Sequence, residues 1–257
     1  MSLWSRLLGR RVAPGTGEGV TPRGLPDGPF YAIGDIHGHL DRFAALEDTI
    51  IADARARGED TARVVCLGDY VDRGPDSAGV LDRLLAPPPE GIARLALRGN
   101  HEAMFADFLD APRANHPWLG MGGRETLASY GLYPDGIAAA GRHLETTLNS
   151  FVPEEHRALL DALPMAAMNA THFLCHAGVD PSLPLEAQPE RALLWMREPF
   201  LSHGARLARI VVHGHSPADR PELLGWRVNA DTGAYSGGPL TAVRLNADAP
   251  PEILQIT

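Results

Sequence analysis

Five short polar segments, most of them bounded by glycine, constrain this chain more than any other feature of its sequence. Each directly follows an apolar stretch that is predicted to be a strand. In open α/β sheets, ligands bind beyond the carboxyl ends of strands, so these five ends point to one common site. Glycine lets the backbone turn sharply and approach a ligand closely. The segments are GDIHG (34–38), GDYVDRG (68–74), RGNHE (98–102), HAG (176–178) and HGHSP (213–217).

The order of the predicted elements indicates an α/β fold. From Phe30 onward, strands alternate with helices, which is typical of βαβ units and a largely parallel sheet. The first of these helices is predicted from Leu40 to about Arg57, where apolar residues recur at helical spacing. The second half of the chain contains four further predicted strands with few helices between them. Residues 111–165 are predicted to form a helical, loop-rich insertion over one edge of the core.

Length and composition fit one large domain with a tail. The chain has 257 residues, and its apolar content of 44% and charged content of 21% are near globular averages, which argues against global disorder. Residues 1–28 are rich in glycine and proline and are predicted to be a flexible N-terminal tail. An alternative for the start of this tail is a short amphipathic helix that docks on a membrane or partner. Residues 29–257 are predicted to form the folded domain.

Charge and cysteine content argue against several classes of protein. The formal net charge of −9 makes the chain a poor general binder of nucleic acid, because it repels the phosphate backbone. The two cysteines, Cys66 and Cys175, lie in predicted strands and are expected to be free thiols in a reducing compartment. No apolar run approaches the ~18 residues that span a membrane, and the N-terminus lacks the features of a signal peptide. We therefore expect a cytoplasmic protein without a transmembrane segment.

The side chains of the five segments have the chemistry of a site for two divalent metal ions. Carboxylate, imidazole and amide ligands suit Mn, Fe, Zn or Mg. Asp35 and His37 are two residues apart after one strand, so a turn can aim both at one ion, and Asp69 can bridge two ions. Two ions about 3.5–4 Å apart hold the attacking and leaving oxygens of an in-line displacement and activate water near neutral pH. The residues predicted to complete the second ion's ligands are Asn100, His176 and His215.

Groups for proton transfer and phosphate binding lie beside the predicted ligands. His101 directly follows a predicted ligand and is placed to protonate a leaving alkoxide as a general acid. Asp72, three residues after Asp69, can orient and charge His101. Arg73 and Arg98 can bind phosphoryl oxygens through the fork of the guanidinium group. Together these groups indicate hydrolysis of a phosphate ester by water.

The motifs GDIHG, GDYVDRG, GNHE and HAG resemble those of a known family. They are similar to the PPP-type serine/threonine phosphatases of the calcineurin-like metallophosphoesterase superfamily, above all its compact bacterial and phage members. The resemblance runs from about Phe30 to Leu245. It implies that residues 29–257 are a metallophosphoesterase catalytic domain, with a central β-sandwich flanked by helices.

The resemblance also implies roles for individual residues. The HGH segment leaves His213 and His215 as candidates for the last ligand, and the family pattern, in which the ligand directly follows glycine, selects His215. Arg197, in the segment LWMR (194–197), is implied as a third phosphate contact beside Arg73 and Arg98. His101 and Asp72 form the implied acid dyad. The implied ligands are Asp35, His37 and Asp69 for the first ion and Asp69, Asn100, His176 and His215 for the second.

The function predicted from these motifs is metal-dependent hydrolysis of phosphomonoesters. The leading substrates are phosphoserine and phosphothreonine in proteins, attacked in line by a metal-bridging water, and a small phosphoester is also considered. Mn is the favoured metal, with Fe, Zn or Mg as alternatives. The nearest alternative function is hydrolysis of a dinucleoside polyphosphate such as diadenosine tetraphosphate. A non-catalytic binding module is a third alternative, which the complete set of predicted groups disfavours; the oligomeric state is not set by the sequence.

Overall fold

A computed structural model describes residues 19–204 and 207–257, with every side chain in these ranges except that of Arg142. Within them, the chain forms two β-sheets that carry helices on their outer faces. None of the described helices is long and apolar enough to cross a membrane. Both cysteines are buried and unpaired, as predicted.

The first sheet has five strands. Three neighbouring strands run parallel, and two antiparallel strands extend one edge. Side chains of a strand alternate between the two faces, so Phe30 and Ala32 face the second sheet while Tyr31 and Ile33 face the helices. The strands, in order across the sheet, are β11 (Ala249–Ile256), β10 (Leu240–Asn246), β2 (Phe30–Ile33), β3 (Ala62–Cys66) and β4 (Ile92–Ala96).

The second sheet has six strands in the described part of the chain. Three neighbours, β6, β7 and β9, run parallel, and short strands complete both edges. The strands, in order across this sheet, are β1 (Arg23–Gly24), β5 (Ala166–Met168), β6 (His172–Cys175), β7 (Ile210–His213), β9 (Arg227–Asn229) and β8 (Glu222–Leu223).

Helices connect and cover the sheets. The second helix begins where the side chain of Asp76 accepts a hydrogen bond from the backbone N–H of Gly79, 2.8 Å away, an arrangement that satisfies one free donor of the first turn. The described α-helices are α1 (Leu40–Ala56), α2 (Ser77–Leu85), α3 (Asn100–Asp110), α4 (Gly123–Ser129), α5 (Pro134–Ala140), α6 (Leu144–Phe151), α7 (Glu154–Ala162) and α8 (Glu190–Trp195).

Three apolar clusters hold these layers together. One lies between the sheets and includes Val65 of β3 and Val212 of β7. The second packs Phe43 of α1 and other helical side chains on the outer face of the first sheet. The third, which includes Phe173 and Phe200, covers the outer face of the second sheet. The predicted α/β fold, a central β-sandwich flanked by helices, is therefore confirmed.

The carboxyl ends of the parallel strands carry the five polar segments. β2, β3 and β4 end within two residues of GDIHG, GDYVDRG and RGNHE. β6 ends immediately before His176, and β7 ends at His213. Because strands of each parallel set end on the same side, the segments of both sheets meet at one end of the sandwich. The predicted strands that lead into these segments are all present, and their ends agree to within two residues.

The insertion at 111–165 is helical, as predicted. It contains α4 to α7 and two short 3-10 turns, Pro117–Met121 and Gly141–His143. Its helices α4 and α7 pack against α2, and α7 also packs against α3. The insertion therefore sits on the helices that follow the second and third polar segments.

The predicted flexible tail needs correction in the part that is described. Residues 1–18, including the proposed docking helix, lie outside the described ranges. Arg23–Gly24 form strand β1, which pairs with β5, and the backbone N–H of Leu25 donates to the carbonyl of Met168 at 2.8 Å. The backbone N–H of Val20 donates to the carbonyl of Gln188. Residues 23–24 therefore extend the second sheet, because an unpaired edge of β5 offers hydrogen-bonding groups to a passing chain.

Candidate metal centre and catalytic site

Strained backbone is concentrated in the predicted site. Among the described residues, five that are not glycine have a positive φ, and all five are predicted site residues. Such left-handed conformations cost on the order of 1–3 kcal/mol each and cluster where function requires them. The strained residues lie in the turns that follow the strands, where they direct side chains into the site. The φ angles are 45° for His37, 54° for Asp69, 75° for Asp72, 70° for Arg73 and 64° for His215.

Asp69 lies at the centre of the site, with its two carboxylate oxygens facing different groups. Oδ2 is 3.7 Å from Nε2 of His37 and 3.8 Å from Nε2 of His101. Oδ1 is 3.3 Å from Nε2 of His176. Two sets of ligand atoms each lie within 4.8 Å of one another, His37–Asp69–His101 and Asp69–His176–His215. Asp69 belongs to both sets, which is the geometry that a bridging carboxylate requires.

Asn100 brings an amide oxygen into the second set. Its Oδ1 is 2.8 Å from Nε2 of His176 and 2.9 Å from Nδ1 of His215. The two imidazole nitrogens are themselves 3.2 Å apart. Asn100 is the first residue of α3, directly after the RG turn that follows β4, so the helix start fixes its position. The predicted ligands of the second ion therefore converge.

Backbone carbonyls fix the orientation of two of the histidines. Nδ1 of His37 lies 2.8 Å from the carbonyl oxygen of Val71, and Nδ1 of His176 lies 3.0 Å from that of Leu67. A carbonyl oxygen accepts hydrogen bonds, so Nδ1 carries the proton and donates in both cases. Nε2 then points into the centre and is free to gain a proton or a metal ion.

Buried acidic groups lie close together in the centre, where negative charge is unfavourable unless a positive charge balances it. Burial raises the pKa of Asp35 well above its usual range, and the nearby carboxylates of Asp231 and Asp69 raise it further. Burial alone would lower the pKa of His176, but the carboxylates of Asp69 and Asp35 raise it to about 9. Without metal, a proton on His176 thus compensates the charge that a cation would otherwise neutralise.

Two other histidines of the centre are held neutral. Burial is the main cause that lowers the pKa of His37 to about 3 and that of His215 to about 2. Positive charges nearby add to the effect, from His101 and Arg73 at His37 and from His176 and Arg197 at His215. Neutral imidazole is the form that binds metal ions.

Asp35 is turned toward the last polar segment. Its two carboxylate oxygens accept from the backbone N–H of His215 at 3.1 and 3.2 Å. Gly214 permits this approach, because a Cβ at that position would lie 2.2 Å from Oδ1 of Asp35. The side chain that the structure groups with His37 and Asp69 is His101 rather than Asp35. The role of Asp35 as a metal ligand therefore remains a prediction.

His101 and Asp72 form a buried pair. Nδ1 of His101 lies 2.5 Å from Oδ2 of Asp72, and both residues are almost fully buried. Burial alone would lower the pKa of His101, but the carboxylates of Asp69 and Asp72 raise it overall. A protonated imidazole held by a carboxylate is the arrangement expected for a general acid and the group that orients it.

Arg73 is the predicted phosphate-binding residue nearest to the centre. One of its terminal nitrogens is 2.9 Å from Nε2 of His37, and the other is 3.1 Å from Nε2 of His101. Arg197 lies beside His215, where its terminal nitrogen donates to the backbone carbonyl of that residue at 3.2 Å. Both guanidinium groups are thus placed to meet an anion at the centre.

Arg98 and His213 have different surroundings. Nε of Arg98 is buried without a hydrogen-bond partner among the described residues, and no contact ties this side chain to the centre, so its role remains a prediction. Nδ1 of His213 lies 2.9 Å from the carbonyl oxygen of Gly214, and its ring packs on Phe200. His213 is therefore part of the core, and His215 is the histidine within reach of the predicted ligands.

Comparison with known proteins identifies the family. The sequence profile of the calcineurin-like phosphoesterases matches residues 28–248. The chain belongs to the calcineurin-like phosphoesterase family. The matched segment contains all the predicted site residues, β2 to β10, and the helical insertion.

Several calcineurin-like phosphoesterases and related structures are similar to this chain. The bis(5'-nucleosyl)-tetraphosphatase PrpE (asymmetrical) of Geobacillus thermodenitrificans is 26% identical over 233 residues, which cover 82% of this chain and 88% of that protein. A crystal structure provisionally described as a diadenosine tetraphosphatase has a TM-score of 0.61 at 23% identity and covers 92% of this chain and 98% of that one. A protein serine/threonine phosphatase of Saccharomyces cerevisiae has a TM-score of 0.53 at 17% identity, with coverages of 93% and 84%. The two structures establish a shared fold.

Membership in the calcineurin-like family makes the chain a phosphoesterase, and thus a hydrolase, and it implies that divalent metal ions bind. The residues fit such ions. Asn100, His176 and His215 bring an amide oxygen and two imidazole nitrogens within 3.2 Å of one another, an arrangement that a shared cation stabilises. The oxygen and nitrogen donors suit Mn, Fe, Zn or Mg. The comparisons do not confirm the narrower prediction of a serine/threonine phosphatase.

Sequence reasoning missed the importance of Glu102 for this phosphoesterase site. Its carboxylate accepts from the backbone N–H of Gly99, which precedes α3, and also from those of Asp69, Tyr70 and Val71 in the turn after β3. The four distances lie between 2.7 and 3.2 Å. Its place at the third position of a helix signals a cap, but the link to the neighbouring turn is visible only in three dimensions.

Tyr235 was also missed, because no spacing in the sequence relates it to the motifs. Its ring centroid lies 4.1 Å from Cζ of Arg73, and its edge faces the ring of His37 at 5.1 Å. A terminal nitrogen of Arg42 donates to the carbonyls of Ala234 and Gly238 at 2.9 and 3.1 Å. Arg42 thus holds the turn that presents Tyr235, and Tyr235 supports the guanidinium of Arg73 through a cation–π contact.

Proposed function

We propose that this phosphoesterase hydrolyses dinucleoside polyphosphates asymmetrically, with two divalent metal ions, Mn in the first instance, as cofactors. The proposed substrate class is supported by the similarity of this chain to relatives named asymmetrical bis(5'-nucleosyl)-tetraphosphatase. They are 24–26% identical to this chain over 82–84% of its length. This substrate was the alternative in the sequence-based prediction, and the relatives favour it over a phosphoprotein.

The proposed mechanism begins with charge neutralisation. A tetraphosphate brings several negative charges, and phosphoryl transfer depends mainly on positioning and on stabilising that charge. Arg73 contacts His37 and His101, Arg197 contacts His215, and both would bind the phosphoryl oxygens, with Arg98 as a further candidate. The predicted ligands would hold two divalent ions, which would supply Lewis-acid polarisation of the phosphoryl group and lower the pKa of water.

His101 would supply the proton for the leaving group. In the imidazolium form of His101, Nε2 donates its proton to the bridging oxygen of the leaving group as the bond between that oxygen and the attacked phosphorus breaks. Asp72 holds Nδ1 and stabilises the positive charge before transfer. Because a polyphosphate is a better leaving group than a serine alkoxide, this step demands less of His101 with a dinucleotide than with a phosphoprotein.

A direct comparison of substrates tests this proposal. We expect kcat/KM of the Mn-loaded full chain to be at least ~100-fold higher on diadenosine tetraphosphate than on a phosphothreonine peptide, a difference of about 2.7 kcal/mol in transition-state binding. Ion-exchange chromatography should show AMP and ATP as the products. Faster hydrolysis of the peptide, or two molecules of ADP as the product, would contradict the proposal.

Variants tie the activity to the centre. His101→Asn should lower kcat on diadenosine tetraphosphate by ~10–100-fold, because a general acid contributes roughly 100-fold or more and a good leaving group needs it less. His203→Asn is the matched control, since His203 is exposed and lies outside the centre. A contaminating hydrolase would give the same rate in both preparations.

A phosphoprotein remains a second candidate substrate. The observation that favours it is the form of the GDYVDRG and GNHE segments, which resemble those of the PPP-type protein phosphatases. The same peptide measurement decides between the two.

A further inference from the structure

Asp72 has more partners than the dyad requires. It is fully buried, and both carboxylate oxygens accept hydrogen bonds. Oδ2 accepts from Nδ1 of His101 and also from Nε1 of Trp118, at 2.5 and 2.7 Å. Oδ1 accepts from Oγ1 of Thr126 at 2.6 Å. Two of these three donors come from the helical insertion, outside every motif of the family resemblance.

We propose that Trp118 and Thr126 are positioning residues, which hold the Asp72 carboxylate so that it aims the imidazole of His101 at the leaving group. The proposal rests on the proposed function in so far as His101 acts as a general acid. It does not depend on whether the natural substrate is a dinucleotide or a protein.

The donor chemistry makes Asp72 an acceptor in all three contacts. Indole Nε1 can only donate, and the hydroxyl of Thr126 donates when it faces a carboxylate. Nδ1 of His101 must then carry the proton that it shares with Asp72. With Nδ1 bonded to Asp72, Nε2 of the imidazole points toward the centre, where it faces Arg73 and Asp69.

Trp118 is itself held rigidly. Its ring stacks on Phe105 of α3, with centroids 4.8 Å apart and an interplanar angle of 14°, and it packs against Phe108 at 4.8 Å. Gly123 lies against the indole so closely that a Cβ there would be 2.4 Å from the ring. A donor fixed in this way loses little further conformational freedom when it bonds to Asp72.

Thr126 acts on the same residue through the backbone as well. Its Oγ1 accepts from the backbone N–H of Asp72 at 2.8 Å, and Ser77 of α2 accepts from the same N–H at 3.0 Å. The backbone N–H of Arg73 donates to the carbonyl of Gly122, which precedes α4. Thr126 therefore hydrogen-bonds both the backbone and the side chain of Asp72, a residue with a φ of 75°.

A leaving-group series separates positioning from a general structural role. Phenyl phosphate has a basic leaving group that needs a proton, whereas 4-nitrophenyl phosphate has a leaving group that departs without one. We expect Thr126→Val to lower kcat by ~10–100-fold on phenyl phosphate and by less than ~3-fold on 4-nitrophenyl phosphate, with KM nearly unchanged. Trp118→Phe should act in the same direction, because it keeps the stacked ring and removes the donor.

Two variants are the controls for this series. Thr126→Ser keeps the hydroxyl and should retain the wild-type ratio of the two rates. Thr147→Val makes the same substitution in α6 of the insertion, where the hydroxyl bonds the carbonyl of His143, and should change neither rate. Equal losses on both substrates in Thr126→Val, or no loss on either, would overturn the proposal.

A second readout needs no turnover. The proton between His101 and Asp72 should give a downfield ¹H NMR signal, assigned by its absence in His101→Asn. We expect this signal to shift or broaden in Thr126→Val and in Trp118→Phe, and to remain in Thr126→Ser. An unchanged signal in both altered variants would overturn the proposal, even if the wild-type protein hydrolysed neither aryl phosphate. The rates of the wild-type protein on diadenosine tetraphosphate and on the phosphopeptide decide the substrate proposal separately.

Discussion

At the scale of single residues, Glu102 links two of the polar segments. Oε1 accepts from the backbone N–H groups of Tyr70 and Val71, and Oε2 from those of Asp69 and Gly99. Burial, followed by the nearby Asp69, raises the pKa of Glu102 to about 7, while the N–H of Tyr70 favours the ionised form. One carboxylate thus satisfies four backbone donors that water cannot reach, and it holds Asp69 in a left-handed turn.

Glu102→Gln should therefore destabilise the protein. The amide nitrogen of glutamine would face two backbone N–H groups and leave both without an acceptor, which costs roughly 2–5 kcal/mol in free energy of unfolding. Urea unfolding at pH 8 in EDTA measures this change without a contribution from metal. Glu125→Gln, at an exposed position in α4, is the control. A change below ~0.5 kcal/mol in Glu102→Gln would show that the turn keeps its shape without the carboxylate.

At the scale of elements, the strands that carry the site were easier to predict than those at the sheet edges. β11 was not predicted, because Pro250 and Pro251 lie within it and proline lacks a backbone donor. The strand forms because it occupies an edge, where only β10 pairs with it and prolines are tolerated. β5 and β8 have three and two residues, too few for a hydrophobic pattern. Four of the five site strands, β2, β3, β6 and β7, are mostly buried on both faces and have apolar sequences, whereas β4 is only partly buried.

The interface between the two sheets contains a histidine, His172 at the start of β6. Its ring meets that of Phe30 in β2 edge to face, with centroids 5.2 Å apart. Burial lowers the pKa of His172 to about 4. The unfolded chain, with an ordinary histidine pKa of about 6.5, binds a proton before the folded protein does. This contribution to stability is fully present above pH 6.5 and is lost as the pH falls toward 4.

His172→Gln should weaken this pH dependence. Between pH 7.5 and pH 4.5, the wild type should lose about 1–3 kcal/mol more free energy of unfolding than the variant does. Urea titrations in EDTA across this range measure it. His203→Gln, which replaces an exposed histidine, should run parallel to the wild type. Parallel curves for His172→Gln as well would mean that another group causes the acid sensitivity.

At the scale of the whole molecule, the centre joins the two sheets. Asp69 and Asn100 follow strands of the first sheet, whereas His176 and His215 follow strands of the second. A metal ion held by all four would connect the halves of the sandwich. Because these ligands come together only in the folded chain, binding free energy adds to folding free energy.

Metal addition should therefore raise the melting temperature. Mn at ~100 times its Kd should stabilise the protein by about 2.7 kcal/mol for each site, or roughly 5–10 °C in a chain of this size. Scanning calorimetry with Mn and with EDTA measures the shift, and metal analysis of the protein counts the ions. His176→Ala should lose most of the shift, while His203→Ala keeps it. An unaltered melting temperature in the wild type, together with less than one ion per chain, would rule out the proposed centre.

The sequence by itself determined the apolar strands, the polar turns at their carboxyl ends and the identity of the chemical groups. Those features depend on local spacing, as at Asp35 and His37, or on a helix start, as at Asn100. Only the tertiary structure decided that His101 joins His37 and Asp69, that Glu102 supports the turn of Asp69, and that the insertion reaches the dyad. Those contacts join residues 31 to 64 positions apart along the chain. Spacing carries no signal at such separations, because the packing of the two sheets and the helices on them sets which side chains meet.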